Sequence, residues 1–519
     1  MNNKPYPLYE VEKVNNLKEL VDAIAKKYET KPAFLFEQSG ETVAISYSQF
    51  KSDVDALGTA LHEAGIKDMK VGLIGENSYN WILTSLAVSN SGNVIMPLDK
   101  ELSATDIKNL IDHSGAEVIV YSNSYSNIAT SLQEGNANIK HYINMTSLTE
   151  WVDKGKSLIA NGNNSVVDYV INNDSMSTLS YTSGTTGSPK GVMLSHSNLA
   201  HDAVSSSESV CFPDTSLLVL PLHHIAGFMG ALCMLMYGSA IGINSSIKTL
   251  PSDFQKYQPG ITVLVPLFLE TFYRQINALA AKSEGRATPE QVAKQLFGSS
   301  LSVIICGAAP LDGKYIDEYL KLGITVLNVY GLTESAGTTT INRNEYFRAG
   351  SVGQAISCSQ ITISNPDENG HGEVYTKGGH IMLGYYKNEQ ATKDTFDGEW
   401  FKTGDIGYMD ADGFLYISGR KKNVIILNNG KNVYPEEVEF ALLKKLPYVK
   451  EAVVSANNNE IIAEVFLDTD NSPNCASQLD TDIIELNKIL PPYMNINKTV
   501  IRDTEFPKTS SKKIKREYN

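Results

Sequence analysis

Cysteine is scarce in this sequence. The five present, Cys211, Cys233, Cys306, Cys358 and Cys475, are scattered and form neither the close pairs of a zinc site nor a disulfide framework. A reducing, cytoplasmic setting is the expectation that follows. Positive charge is also in short supply: 44 Lys and Arg against 58 Asp and Glu leave a net charge of -14, which argues against nucleic acid as a partner. The amino-terminal MNNKPYPLYEVEK lacks the apolar core of a secretory leader, so none is expected. Repeats and low-complexity tracts are missing too. One uncharged stretch, the 19 residues from Ile225 to Ile243, is long enough on paper to cross a bilayer. Pro221, His223 and His224 guard its entrance, and Gly238-Ser239 divides it into a helix of about 11 residues and a short strand, ordinary globular lengths. It reads as a buried segment, and no transmembrane span is expected.

What is there is a chain of 519 residues, 42% apolar and 20% charged, enough for several soluble units. Amphipathic helices alternate with short apolar strands. Leu17, Leu20, Val21 and Ile24 follow helical spacing near Asn16 to Lys27, and Phe50, Val54, Leu57 and Leu61 do so in the next helix, which Gly65 can close. Lys70 to Ile74, Val94 to Pro97 and Glu117 to Tyr121 read as buried strands, with helices near Trp81 to Ser89 and Ala104 to His113. Further strands are expected at Ser177 to Tyr181, Leu217 to Leu220, Ile261 to Val265, Ser302 to Cys306 and Thr325 to Val329. This rhythm predicts an α/β fold with mainly parallel sheets flanked by helices, whose ligands gather at the carboxyl ends of the strands. From about Gly372 short alternating strands suggest an antiparallel end piece, with a tight reversal at Asp410 to Gly413. A small α+β pattern follows, with helices at Pro435 to Leu446 and near Asp480 to Leu490. Residues 420 to 519 hold 15 Lys and Arg against 14 Asp and Glu, so the first 419 carry -15. The expected division is therefore a large domain over 1–419 and a small one over 420–519.

The run YTSGTTGSPKGV, Tyr181 to Val192, concentrates the chemistry. Gly184 and Gly187 let backbone N–H groups approach an anion, Thr182, Ser183, Thr185 and Thr186 supply hydroxyls, and Lys190 a positive charge. Polyphosphate is the expected guest. The run is not the common P-loop, in which Gly directly precedes the Lys; Pro189 stands there, which speaks against kinase-type transfer. A solvated linker would account for the composition but not for the Pro-Lys-Gly closure.

Further landmarks agree in order and separation: PLHHIAG at Pro221 to Gly227, GAAPL at Gly307 to Leu311, NVYGLTES at Asn328 to Ser335, GEVYTKGGHIMLGYY from Gly372, WFKTGDIG at Trp400 to Gly407, GRKKNVI at Gly419 to Ile425, and PKTSSKKIKR near the end. Together they resemble the acyl-adenylate-forming superfamily of acyl-CoA synthetases, luciferases and peptide-synthetase adenylation domains, over nearly the whole chain. The loop NNGKNVYPEEVE is particularly similar to bacterial long-chain fatty-acid enzymes.

The resemblance implies an ATP-dependent, magnesium-assisted conversion of a carboxylic acid to acyl-AMP, followed by transfer to CoA. Two anions meet in the first step, so positive charge is needed where they approach. The resemblance gives that role to Lys513. Read alone, Lys512, Lys513, Lys515 and Arg516 would equally suit a solvated surface or peripheral contact with acidic lipid. Lys512 also departs from the Gly common in the family, which implies a stiffer loop. Thr333 resembles the phosphate contact and Glu334 the magnesium ligand, the alternative being a helix amino-terminal cap. Asp405 resembles the ribose ligand, with Arg420 at the sugar or phosphate. Adenine is implied between Gly307, Ala308, Ala309 and Pro310 on one side and Asn328, Val329, Tyr330 and Gly331 on the other. His224, or its neighbour His223, is implied beside the acyl carboxylate, the alternative being a satisfied core histidine. PLHHIAGF offers no Asp for an α-ammonium, so a plain carboxylic acid, fatty or related, is expected over an amino acid. Lys422 aligns with the family's interdomain pivot and Gly430 with a glycine lining the thiol tunnel. Two alternatives stand beside this reading: a ligase that loads a separate acyl carrier protein, and a nucleotide-binding regulator without turnover.

Overall fold

The computed structural model describes residues 7–135, 138–182, 189–244, 246–427, 431–457, 460–508 and 514–516. The chain falls into two compact units, one of residues 1–360 with 377–399 and the other of 361–376 with 400–519.

The first unit contains two large, mainly parallel sheets. One has seven strands and centres on Met176–Thr182, Val94–Pro97, Lys70–Ile74, Val118–Tyr121 and His141–Asn144, in that order and all parallel. Lys190–Ser195 and Gly384–Tyr385 add antiparallel strands beyond Met176–Thr182. The other has nine strands. Its parallel middle runs Thr325–Tyr330, Val303–Cys306, Ile261–Leu264, Thr215–Leu218, Ala240–Ile243 and Pro32–Gln38, with short antiparallel strands at both edges. Every strand expected from apolar runs is present within two or three residues of its predicted bounds, as buried crossover strands should be.

The helices obey the same logic. Leu17–Tyr28 buries Leu17, Leu20, Val21 and Ile24, and the Asn16 side chain accepts from the Glu19 N–H to start it. The uncharged stretch resolves into the helix Ile225–Met236, buried on nearly every side, and the buried strand Ala240–Ile243. A helix apolar all round belongs inside a large core, which explains its composition without lipid. Among the described residues no helix is long and apolar enough to cross a membrane. Some elements carry no strong sequence signal. The hairpin Pro32–Gln38 with Glu41–Ser46 and the strand Lys190–Ser195 belong to this group.

In the second unit, Gly372–Gly378, Trp400–Met409 and Leu415–Arg420 pair antiparallel, and Asp410 closes the expected reversal by accepting from the Asp412 and Phe414 N–H groups. Val449–Asn457, Glu460–Leu467 and Ile496–Arg502 form a second sheet, packed on the helices Pro435–Lys445 and Cys475–Asn487 around Val438, Leu442, Ala463, Val465 and Leu479. The antiparallel strands expected to end the large domain thus group with the carboxyl-terminal residues. Local contacts explain it: Lys421 pairs with Glu373, and a Cβ on Gly419 would lie 2.5 Å from a Glu436 carboxylate oxygen on the helix.

Candidate active site

In the first unit the strand Met176–Thr182 delivers Tyr181 and Thr182, and Lys190 opens the return strand directly opposite Thr182 in the antiparallel register. Thr182 and Lys190, the described residues nearest the Thr/Gly-rich run on these two strands, are thus cross-strand partners. Ser183, Gly184, Thr185, Thr186 and Gly187 lie outside the described residues. Lys190 Nζ sits 4.8 Å from the ring centroid of Tyr385, a cation over an aromatic face.

Tyr385 is the residue that sequence reasoning missed. It lies in the quoted GEVYTKGGHIMLGYY motif, and pairs with Val192 across the sheet edge. Its hydroxyl donates to Glu334 Oε1 at 2.8 Å, while the Met382 N–H donates to the Glu334 carbonyl at 2.9 Å. Lys190 and Glu334 thus share one tyrosine, which fixes the carboxylate through its hydroxyl and receives the ammonium on its ring.

Thr333 and Glu334 stand on a three-residue 3-10 turn, Thr333–Ser335, not at the start of an α-helix. The turn is tied by the Leu332 N–H donating to Ser335 Oγ at 2.9 Å. It folds back so tightly that a Cβ on Gly331 would lie 2.0 Å from the Gly337 carbonyl oxygen. Only glycine fits there. Behind the turn, Asp202 is fully buried, accepting from the Thr338 N–H and the Ser206 hydroxyl, each at 2.7 Å, and burial pushes its carboxyl up to about 7. Thr333 and Glu334 offer hard oxygen donors from one turn, and the Tyr385 bond leaves further lone pairs on the carboxylate. That donor set fits a magnesium ion and is poorly suited to softer metals.

The expected adenine residues occupy the carboxyl ends of two neighbouring parallel strands, Val303–Cys306 and Thr325–Tyr330. Gly307 is pressed against Val329, whose carbonyl oxygen would be 2.7 Å from an added Cβ. Ala308 follows at φ +68°, a left-handed backbone that costs a non-glycine residue about 1 kcal/mol, and Ala308 and Ala309 are exposed. Val329 and Tyr330 are half-buried. Asn328 behaves differently: it is buried, and its amide donates to the Ser351 carbonyl at 3.0 Å, so its side chain supports the loop.

His224 is the N-cap residue of the helix Ile225–Met236, its carbonyl accepting from the Gly227 and Phe228 N–H groups. Its ring lies 4.3 Å from that of His223, which is buried with Nε2 3.3 Å from Asp99 Oδ1.

In the second unit Asp405 and Arg420 are direct cross-strand partners, with Arg420 Nε 2.9 Å from Asp405 Oδ1 and Nη1 donating to the Thr403 carbonyl. Asp405 is 5% exposed, whereas the Arg420 side chain is 42% exposed, so the pair is buried on its carboxylate side only. Lys422 stands on the next turn, where burial, then Arg420 and Arg516, lower its pKa. Arg516 is ion-paired with Glu439 and Glu436 of the helix Pro435–Lys445. Lys513 and Gly430 lie outside the described residues.

Comparison with known proteins gives the family. Residues 21–386 match the AMP-binding enzyme family, and residues 422–518 match the AMP-binding enzyme C-terminal domain. The long-chain-fatty-acid–CoA ligase FadD13 of Mycobacterium tuberculosis is 28% identical over 498 residues, 89% of this chain and 93% of that protein. The 2-succinylbenzoate–CoA ligase of Bacillus licheniformis is 33% identical over 303 residues, 56% of this chain and 59% of that one. The structure of O-succinylbenzoate coenzyme A synthetase from Bacillus subtilis, in complex with ATP and magnesium ion, shares the fold with a TM-score of 0.76 at 24% identity, over 96% of this chain and 98% of that one. The chain belongs to the AMP-binding enzyme family and, within it, to the AMP-forming acid–CoA ligases.

Proposed function

We propose that the chain activates a fatty acid with ATP and passes it to CoA. The observation that carries this is the approach of Lys190 and Glu334 to one tyrosine, in a chain similar to long-chain-fatty-acid–CoA ligases over most of its length. The carboxylate oxygen attacks the α-phosphorus, the bond to the β-phosphate breaks, and pyrophosphate leaves. In the second step the thiolate of CoA attacks the acyl carbon and AMP departs.

The roles follow from chemistry and resemblance. Thr182, Ser183, Gly184, Thr185, Thr186, Gly187 and Lys190 receive the phosphates. Glu334, with Thr333, would hold magnesium, which supplies positive charge that offsets the phosphates when bound. Gly307, Ala308, Ala309, Val329, Tyr330 and Gly331 receive adenine; Asn328 shapes their loop. Asp405 accepts from the ribose hydroxyls, with Arg420 fixing its carboxylate. His224 attends the acid's carboxylate, and Lys513 brings the charge that draws both anions together. Residues 420–519 form the mobile domain of the reaction, Lys422 being its pivot and Gly430 leaving passage for the thiol. Acid, ATP and CoA are the partners, in the cytoplasm.

A second reading, an aryl acid as substrate, is favoured by the higher identity to the 2-succinylbenzoate ligase over the part aligned. Carboxylate-dependent pyrophosphate exchange across alkyl, aryl and amino acids tests both. Exchange with alkyl acids and thioester formation with CoA are expected. Preference for aryl acids would replace the substrate assigned. Acyl-AMP that transfers only to carrier protein would replace the acceptor, and no exchange with any acid would reject the reaction.

A further inference from the structure

We propose that Asp99, His223 and His224 form a second metal site, which binds a borderline transition-metal ion such as zinc, separate from any magnesium held at Glu334. One ligand atom from each of the three residues lies within 4.8 Å of the others. His223 Nε2 and Asp99 Oδ1 are 3.3 Å apart, about the edge of a tetrahedron whose metal–ligand bonds are about 2.0 Å. The two imidazoles have centroids 4.3 Å apart and an interplanar angle of 49°, neither stacked nor perpendicular.

Chemistry separates this set from the magnesium donors. Two imidazoles with one carboxylate suit zinc, cobalt or nickel, whereas magnesium prefers oxygen alone. The setting also favours retention. The His223 side chain is 5% exposed and shares a small cavity with Pro97, Thr178, Ser180, Ile225 and Phe228. Pro97, Ile225 and Phe228 limit water's access to an ion on the His223 side. The backbone is prepared as well. His223 and His224 precede the helix Ile225–Met236, whose first turn is anchored on the His224 carbonyl, and Asp99 follows the strand Val94–Pro97 of the seven-stranded sheet.

Three protein ligands leave one position open, which a water or a carboxylate can take. The consequence for turnover rests on the reaction proposed above: an ion here would meet the acid's carboxylate beside His224 and hold it away from the α-phosphorus, so zinc is an inhibitor. Binding itself does not depend on that reading.

The experiment is a titration of the chelator-stripped full chain with Co2+, followed by its visible d–d absorption, and with Zn2+ in a calorimeter. Wild type is expected to take up one ion per chain with a nitrogen-ligated Co2+ spectrum. Asp99→Asn and His223→Gln should each weaken binding at least tenfold, the loss of a ligand costing no less than the 10- to 100-fold typical of a supporting partner. His113→Ala, an imidazole elsewhere in the unit, should leave it unchanged. Circular dichroism melting checks that each variant is folded. Absence of a stoichiometric Co2+ signal in wild type, or equal affinity in folded Asp99→Asn and His223→Gln, overturns the site. Zn2+ should also slow pyrophosphate exchange in wild type more than in Asp99→Asn. Metal binding without inhibition would refute only the consequence for turnover.

Discussion

The Tyr385 hydroxyl donates to Glu334 Oε1 at 2.8 Å, joining a strand at the edge of the seven-stranded sheet to the turn that follows the nine-stranded sheet's Thr325–Tyr330. This bond orients the Glu334 carboxylate. Hydrogen bonds to charged groups contribute about 1.5 to 3 kcal/mol. Tyr385→Phe keeps the ring beneath Lys190 and removes only the hydroxyl. Pyrophosphate exchange at limiting magnesium should fall roughly tenfold, in line with that energy, and recover as magnesium is raised. Initial rates across a magnesium series measure it, and an unchanged magnesium dependence would separate Tyr385 from metal binding.

Gly331→Ala places a methyl group 2.0 Å from the Gly337 carbonyl oxygen, where backbone, not a flexible side chain, must yield. Overpacking of this kind costs about 1 to 3 kcal/mol. The melting temperature should drop by a few degrees and exchange should collapse, since Thr333 and Glu334 ride on the displaced turn. Gly230→Ala is the comparison: its added Cβ would meet only a Val263 methyl at 3.4 Å, within the helix Ile225–Met236. Helical Gly to Ala is stabilising by about 0.4 to 1 kcal/mol where it fits. Thermal melts of both proteins decide the matter.

These sites differ in how far the sequence discloses them. Lys70 to Ile74 and Val94 to Pro97 were legible to the residue, because a strand buried on both faces writes its position as an unbroken apolar run. Thr333 and Glu334 stand in a dense local motif, on which the resemblance places them. Tyr385 was not, since its partner is 51 residues away and only the fold brings them together. The His223–Asp99 pair was hidden for the same reason. Asn328 shows a subtler limit: the motif marks a polar residue at a strand end, but whether its amide faces a ligand or the Ser351 carbonyl depends on a loop the local pattern does not describe.

Lys513 carries the charge assigned to the first step alone. Lys513→Ala should reduce adenylation by roughly 10² to 10³, the loss typical when one oriented charge stabiliser is removed. Thioester formation from supplied acyl-AMP should persist, because its electrophile is the acyl carbon and no carboxylate has to approach a phosphate. Rapid-quench measurement of each half-reaction tests the division, and an equal fall in both would reject the assignment.

Asp202 makes stability depend on pH. Its carboxyl is pushed up to about 7 by burial, against an ordinary value near 3.8 in the unfolded chain. Between those values the folded protein keeps a proton that the unfolded chain releases, so this group's contribution falls as pH rises from about 4 to about 7 and is level above. Asp202→Asn is nearly isosteric. Its carbonyl can accept from the Thr338 N–H while its amide donates to Ser206 Oγ, reversing one bond and keeping both. The variant has no charge to bury. Its melting temperature relative to wild type should therefore climb steadily between pH 5 and pH 7.5, and a difference that stays constant across that range would show that Asp202 ionises in the folded state as it does in the unfolded one.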